Sequence, residues 1–142
     1  MSIFNSEKSI QQYLEKNWKT IFPNFKLIKS QPNIIGNYSQ RIIGVADFLF
    51  SKGQVKFIAE LKYSNTRELC FDLWHSLKVI GYAKAYELYT GKRTKPVVIL
   101  KKEIITNDIR HLFYELGIFY ITVERQEDGL FFEYDIGRFD LR

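Results

Sequence analysis

The chain has 142 residues, a formal net charge of +5, 46% hydrophobic and 16% aromatic residues, and a single cysteine, Cys70. This length and apolar content are typical of one folded domain, so we expect residues 1–142 to form a single domain and exclude a disordered chain. The lone cysteine excludes an internal disulfide and favours a reducing, cytoplasmic compartment. No apolar run reaches the roughly 18–20 residues that span a bilayer, so we expect no membrane partner and no secretory leader.

The positive charge is concentrated in the first part of the chain. Residues 124–142 carry six acids and three bases, a net charge of −3, so residues 1–123 carry +8. A basic body favours a polyanionic partner, and nucleic acid is the commonest one. The alternative is a solvated, lysine-rich surface.

The first half of the chain predicts a helix followed by strands. Apolar residues at helical spacing predict a helix over 7–22, capped by Ser6 and ended by Pro23-Asn24. A short strand over 25–30 and a polar loop around Gln31–Asn37 follow. Residues 41–50 and 55–62 then predict two strands of a hairpin that turns at Ser51–Gln54.

The second half alternates helices and strands. Asn65-Thr66 caps a predicted helix that runs to Thr90, with an apolar stripe of Leu69, Leu73, Leu77 and Ile80. A buried strand over 96–100, a helix over 108–116 and a strand over 118–123 follow. The turn at Asp128-Gly129 leads to a candidate last strand over 130–136. The predicted class is therefore α/β, in the order α-β-β-β-α-β-α-β.

Three charged residues on the hairpin carry the functional hypothesis. A two-residue turn at Lys52-Gly53 would set Asp47 opposite Ile58, with Glu60 as its diagonal neighbour on the same face. Lys62 lies two residues beyond Glu60 and shares that face. A change of register by one residue would separate Asp47 from the other two.

Two carboxylates and a lysine suit phosphodiester hydrolysis. Carboxylate oxygens hold a hard divalent cation such as Mg²⁺ or Mn²⁺, which leaves positions for water and a phosphate oxygen. A nearby lysine orients or deprotonates the attacking water, or stabilises the transition state. Asp47 and Glu60 are also poor strand formers within apolar strands, as is common at functional sites. The alternative is an ordinary amphipathic hairpin on which Glu60 and Lys62 pair.

The motif Gly44-Val45-Ala46-Asp47, followed across a turn by Glu60-Leu61-Lys62, resembles the PD-(D/E)xK nuclease superfamily over residues 6–101. That superfamily includes restriction endonucleases, Holliday-junction resolvases and RecB-type nuclease domains. The resemblance implies a restriction endonuclease-like core, α-β-β-β-α-β, here with a C-terminal helix and additional strands. It also implies that Asp47 and Glu60 bind the metal and that Lys62 assists the water. Ala46 stands where many members have proline.

Many members also carry a metal-binding glutamate on the first helix, for which Glu7 and Glu15 are candidates. At 100° per residue, Glu7 falls between Leu14 and Trp18 within the apolar stripe, whereas Glu15 falls outside it. A carboxylate in an apolar stripe needs a partner, which a cation would supply, so we favour Glu7 as a catalytic and metal-binding residue. The alternative is a first-turn acid that interacts with the helix dipole.

Four further residues are candidate nucleic-acid contacts. RecB-like members have Gln-x-x-x-Tyr after the lysine, where this chain has Lys78 and Tyr82. Lys92 and Arg93 lie in a basic loop that could contact phosphates. For all four the alternative is ordinary packing or a solvated surface.

The sequence therefore predicts a metal-dependent nuclease acting on DNA, with a homodimer as a further hypothesis. The alternative is a catalytically inactive nucleic-acid-binding or assembly module on the same fold.

Overall fold

The computed structural model describes residues 7–63 and 69–139, and the predicted caps at Ser6 and Asn65-Thr66 lie outside them. The helices are α1 Glu7–Ile21, α2 Leu69–Thr90, α3 Asn107–Glu115 and α4 Ile136–Phe139. The strands are β1 Lys26–Ser30, β2 Asn33–Ile35, β3 Ile42–Val45, β4 Phe48–Lys52, β5 Val55–Lys62, β6 Thr94–Lys101, β7 Phe119–Gln126 and β8 Gly129–Tyr134.

A six-stranded mixed sheet in the order β1-β4-β5-β6-β7-β8 forms the centre of the molecule. The β1-β4-β5 part and the β7-β8 pair are antiparallel, whereas β5, β6 and β7 run parallel. Parallel neighbours need a crossover connection, and α2 and α3 supply the two that are required. The predicted α/β class and the core order α-β-β-β-α-β are confirmed by α1, β1, β4, β5, α2 and β6.

Apolar side chains pack on both faces of this sheet. One face packs α1 through Ile10, Leu14 and Trp18 against an aromatic cluster. That cluster contains Phe22, Phe25, Phe48, Phe50, Phe57, Phe119 and Phe139. The other face packs Val79 and Ala83 of α2 against aliphatic residues of β5 and β6. A strand that is covered on both faces loses the alternating pattern, so β5 has six buried residues among its eight.

The buried face of α2 differs from the predicted stripe. Leu77 is 57% exposed, whereas Ser76, Val79 and Ala83 are buried. These three follow the i, i+3, i+7 spacing of a helix face, and two of them are small, which lets the helix lie close to the sheet. The prediction was therefore wrong for Leu77, whereas Ile80 is partly buried and packs against the same core. The side chains of Leu69 and Leu73 lie outside the described part of the chain, and the helix ends at Thr90 as predicted.

The predicted loop after β1 contains a strand, and the predicted strand over 41–50 is two strands. β2 pairs with β3 in a separate two-stranded sheet. The break falls at Ala46-Asp47, where Ala46 N–H donates to Pro32 O and Asp47 N–H donates to Ala59 O. The chain changes partners at this point, from β2 to β5. Both strands of the small sheet are short, which is why their pattern resembles a loop.

The hairpin turn lies one residue later than predicted. Lys52 faces Val55, so the two turn residues are Gly53 and Gln54. Gly53 has a φ of +60°, which suits the first central position of a type II′ turn. The ladder pairs Phe48 with Ala59, and its continuation sets Asp47 against Glu60 instead of Ile58. The register prediction was wrong by two residues, and a shift of two leaves both carboxylates on the same face.

The C-terminal part also departs from the prediction. β8 ends at Tyr134, and Ile136, which was predicted to end this strand, instead begins α4. Phe139 of α4 is 1% exposed and packs against Phe57 and Phe119, so burial of this ring accounts for the helical turn. Among the described helices, none is long and apolar enough to cross a membrane.

Candidate active site

Four predicted residues meet at one end of the central sheet. Asp47 directly precedes β4, Glu60 and Lys62 lie at the end of β5, and Glu7 is the first residue of α1. A cavity of about 200 Å³ opens at this point, lined by Glu7, Lys8, Gln11, Gln31, Asp47 and Leu61. Antiparallel pairing places the start of β4 beside the end of β5, and α1 crosses that end of the sheet.

Asp47 is held by hydrogen bonds on both its side chain and its backbone. Its Oδ2 accepts from Leu61 N–H at 2.6 Å. Its carbonyl oxygen accepts from Gln31 N–H at 2.8 Å and from the Gln11 side chain at 3.0 Å. Burial raises the pKa of Asp47, and Glu7 adds to this, while the Leu61 hydrogen bond and Lys78 act in the opposite direction. The carboxylate is therefore fixed in orientation and partly withdrawn from water.

Glu60 is the most unusual residue of the site. It is 8% exposed, and its Oε1 is buried without a hydrogen-bond partner among the described residues. Burial raises the pKa of Glu60 to about 8, reinforced by the negative charges of Asp47 and Glu7 and opposed by Lys78 and the Asp47 amide. A buried carboxylate oxygen without a partner is costly, and such groups concentrate at functional sites.

Lys62 faces Glu7 across the site. Its Nζ lies 3.6 Å from Glu7 Oε1, and the same Glu7 oxygen accepts from Tyr63 N–H at 3.0 Å. The Lys62 side chain is 16% exposed and that of Glu7 is 45% exposed. Lys62 thus contacts Glu7 of α1, and Glu60 is contacted by Lys78 of α2.

The donor set suits a hard cation with few protein ligands. Among residues 7–63 and 69–139, no group of three or more His, Cys, Asp or Glu side chains is gathered to hold a metal. Mg²⁺, however, commonly binds through one or two carboxylates and keeps several waters and substrate phosphate oxygens. The unpartnered Glu60 Oε1 beside Asp47 therefore fits such an ion. Glu7 is placed beside Lys62, with one oxygen already engaged by a backbone amide.

The candidate nucleic-acid contacts fall into two places. Lys78 and Tyr82 lie beside the carboxylates, with Lys78 Nζ 3.9 Å from Glu60 Oε2 and 5.5 Å from the Tyr82 ring. Lys92 and Arg93 are exposed and precede β6, next to Lys56 at the opposite end of β5. The structure therefore does not bring Lys92 and Arg93 to the carboxylates.

A larger cavity lies away from the carboxylates. It has a volume of about 680 Å³ and lies between the end of α1, the start of β1 and the β4–β5 turn. Its floor includes Trp18 and Phe25, and four lysines line its walls: Lys16, Lys19, Lys26 and Lys52. Its size alone does not make it the reaction site, because the buried carboxylates are at the other end of the hairpin.

Gln11 is a site residue that the sequence reasoning missed. It is 8% exposed, and its side-chain amide donates to Asp47 O at 3.0 Å and to Ser30 Oγ at 3.2 Å. Gln11 thereby joins α1 to the Asp47 turn. Its position seven residues before the buried Trp18, on the same helix face, is a signal that the sequence did contain.

Comparison with known proteins shows the fold. No protein-family profile and no curated relative matches the chain. A repair endonuclease from Pyrococcus abyssi is similar in structure, with a TM-score of 0.58 and 15% identity over 84% of this chain. The chain spans about half of that endonuclease, 47% of its length.

A second similar structure, an XisH family protein from Nostoc punctiforme, has a TM-score of 0.55 and 13% identity. The match covers 94% of this chain and 98% of that protein. At these identities the similarity shows the fold alone, a mixed α/β architecture that the repair endonuclease shares.

Proposed function

We propose that this chain is a metal-dependent nuclease of the PD-(D/E)xK superfamily that hydrolyses phosphodiester bonds in DNA. The observation that carries the proposal is the pair Asp47 and Glu60, in which a buried Glu60 oxygen has no hydrogen-bond partner among the described residues. The shared architecture with a repair endonuclease supports it. Carboxylates that are withdrawn from water in this way suit a divalent cation better than they suit a solvated surface.

Asp47 and Glu60 would hold Mg²⁺ or Mn²⁺, and Glu7 would tune the site from beside Lys62. When bound, such an ion supplies an activated water and positive charge for the phosphoryl oxygens. The chain's own residues do the positioning. Leu61 N–H and Gln11 fix Asp47, so the carboxylate does not need to reorganise when a ligand arrives.

Lys62 would orient or deprotonate the attacking water or stabilise the developing charge. Its contact with Glu7 keeps the ammonium within the site, since a side chain that is 16% exposed has little freedom to turn outward. Lys78 and Tyr82 would contact the substrate backbone next to the carboxylates. Lys92 and Arg93, at the other end of the sheet, would act only as distant backbone contacts. The basic charge of residues 1–123 supports a polyanionic substrate.

A cleavage assay tests this proposal. Supercoiled, linear, single-stranded and branched DNA are incubated with the protein in Mg²⁺, Mn²⁺ or EDTA. Cleavage is expected with either metal, none in EDTA, and none above background for Glu60→Gln and Lys62→Ala. Glu115→Gln is the matched control, because Glu115 is an exposed acid that faces His111 on α3.

Two outcomes would contradict the proposal. Cleavage by Glu60→Gln at the wild-type rate would show that the site lies elsewhere. DNA binding that is independent of metal, without cleavage of any substrate, would instead indicate the inactive binding module.

A further inference from the structure

Lys78 lies beside the carboxylates and contacts a neighbouring aromatic ring. It projects from α2, and its Nζ lies 3.9 Å from Glu60 Oε2 and 5.5 Å from the centre of the Tyr82 ring. Tyr82 follows Lys78 by one helical turn, and its hydroxyl fills the space where Gly44 has no Cβ. The Tyr82 ring thus packs against the backbone of β3 and lies next to the Lys78 ammonium. This arrangement distinguishes Lys78 from an unsupported surface lysine.

Lys62 and Lys78 contact different acids. Lys62 Nζ contacts Glu7, and Lys78 Nζ contacts Glu60. Lys78 stabilises the ionised forms of both Asp47 and Glu60. A buried carboxylate pair that carries negative charge needs positive charge close by, and on the α2 side Lys78 provides it.

We propose that Lys78 is an internal counter-cation for the negative charge that the Asp47–Glu60 pair carries before a divalent cation binds, and that it moves away from Glu60 when the cation binds. The inference rests on the proposed function, since it assumes that these carboxylates bind a cation. An ammonium at this place repels a divalent ion and competes for the same Glu60 carboxylate. Lys78 therefore weakens cation binding and stabilises the cation-free protein.

The geometry allows the Lys78 ammonium to move away from Glu60. The distance of 3.9 Å is an ion contact and too long for a hydrogen bond, so little directional interaction is lost on separation. The Lys78 side chain is 40% exposed and has a flexible stem, so the ammonium can turn toward the opening of the site. There it would meet a phosphate oxygen of the substrate.

The test replaces the charge and measures cation binding directly. Lys78→Met keeps most of the length of the side chain without its charge, and Lys78→Gln is a second neutral variant in case the first does not fold. Lys84→Met is the matched control, because Lys84 is on the same helix and pairs with Glu87 at 3.0 Å, away from the carboxylates. Mn²⁺ binding is measured by calorimetry near pH 8.5, where most of Glu60 is ionised, and thermal unfolding is measured in EDTA and in Mn²⁺.

Both Lys78 variants are expected to bind Mn²⁺ roughly twofold to fivefold more tightly than wild type, which is the size of effect of one partly exposed charge. Their melting temperature in EDTA is expected to fall, and the increase on adding Mn²⁺ is expected to exceed that of wild type. Lys84→Met should match the wild-type Mn²⁺ affinity.

The results separate this inference from the proposed function. If wild type binds Mn²⁺, Glu60→Gln does not, and the Lys78 variants bind no more tightly than wild type, the counter-cation role is overturned and the nuclease proposal stands. Mn²⁺ binding by the Lys78 variants alone would support the inference strongly. If neither wild type nor the Lys78 variants bind Mn²⁺, both proposals are overturned.

Discussion

The carboxylate of Asp47 accepts a 2.6 Å hydrogen bond from the backbone amide of Leu61, the residue that separates Glu60 from Lys62. One interaction thus ties the aspartate to the strand that carries the other two residues of the motif. Because the donor is a backbone group, it holds Asp47 whatever side chain stands at position 61. The relative positions of the three residues therefore depend on the hairpin and on this hydrogen bond together.

We predict that Asp47→Asn preserves the fold and abolishes cleavage. The asparagine oxygen can still accept from Leu61 N–H, but the negative charge is lost, so activity should fall by at least about a hundredfold. Asp47→Ala should in addition lower the free energy of unfolding by about 1–3 kcal/mol, since the Leu61 amide loses its acceptor. Plasmid cleavage and urea unfolding measure the two effects. If Asp47→Asn cleaves plasmid as fast as wild type, Asp47 is not part of the active site.

We predict that cation-free wild type loses stability relative to Glu60→Gln as the pH rises from about 4.5 to about 8. The folded state raises the pKa of Glu60 to about 8, against 4.5 as its ordinary value. Within this window the folded protein binds more protons than the unfolded chain, so the free energy of unfolding falls with increasing pH. The loss is on the order of a few kcal/mol and is complete above the folded pKa. Urea unfolding in EDTA should show it, and parallel curves for both proteins would contradict it.

We predict that cation binding near pH 7 releases a proton. With a pKa of about 8, Glu60 is mostly protonated at neutral pH in the absence of a cation, and a metal ligand must be deprotonated. Mn²⁺ calorimetry in buffers of different ionisation enthalpy should give a release that approaches one proton near pH 7 and disappears above about pH 9. A release that does not change with pH would assign the proton to another group.

We predict that Glu7 acts through Lys62. Glu7→Gln keeps an acceptor for Tyr63 N–H but loses the charge that faces Lys62 Nζ at 3.6 Å. Cleavage should fall roughly tenfold to a hundredfold, as is common when a supporting residue is changed. In a Lys62→Ala background, the same Glu7→Gln change should have little further effect. Additive losses in this double-mutant cycle would show that Glu7 acts independently.

We predict opposite effects for alanine at two glycines. At Gly44 a new Cβ would overlap the Tyr82 hydroxyl, so Gly44→Ala should destabilise the protein by about 1–3 kcal/mol. At Gly81 a Cβ meets open space within α2, so Gly81→Ala should stabilise it by about 0.5–1 kcal/mol. Thermal unfolding measures both. Adding Tyr82→Phe, which removes the hydroxyl, should recover part of the Gly44→Ala loss.

Periodicity along the chain was sufficient for the main helices and for the strands of the central sheet, because repeats of 3.6 and of two residues are local properties. It failed for β2, since a strand of three residues carries too short a pattern and its pairing with β3 depends on a partner farther along the chain. It also failed for α4, which is defined by the burial of Phe139 against strands that precede it.

The error in register did not change the prediction that Asp47, Glu60 and Lys62 lie on one face. Strand side chains alternate with a period of two, and the error was two residues. The contact between Lys78 and Glu60 joins a helix to a strand, and no spacing in the chain indicates it. The raised pKa of Glu60 likewise depends on burial and on neighbouring charges from three elements. Residue types and spacing were thus enough to nominate the carboxylates, whereas their ionisation and counter-charges arise from packing between distant segments.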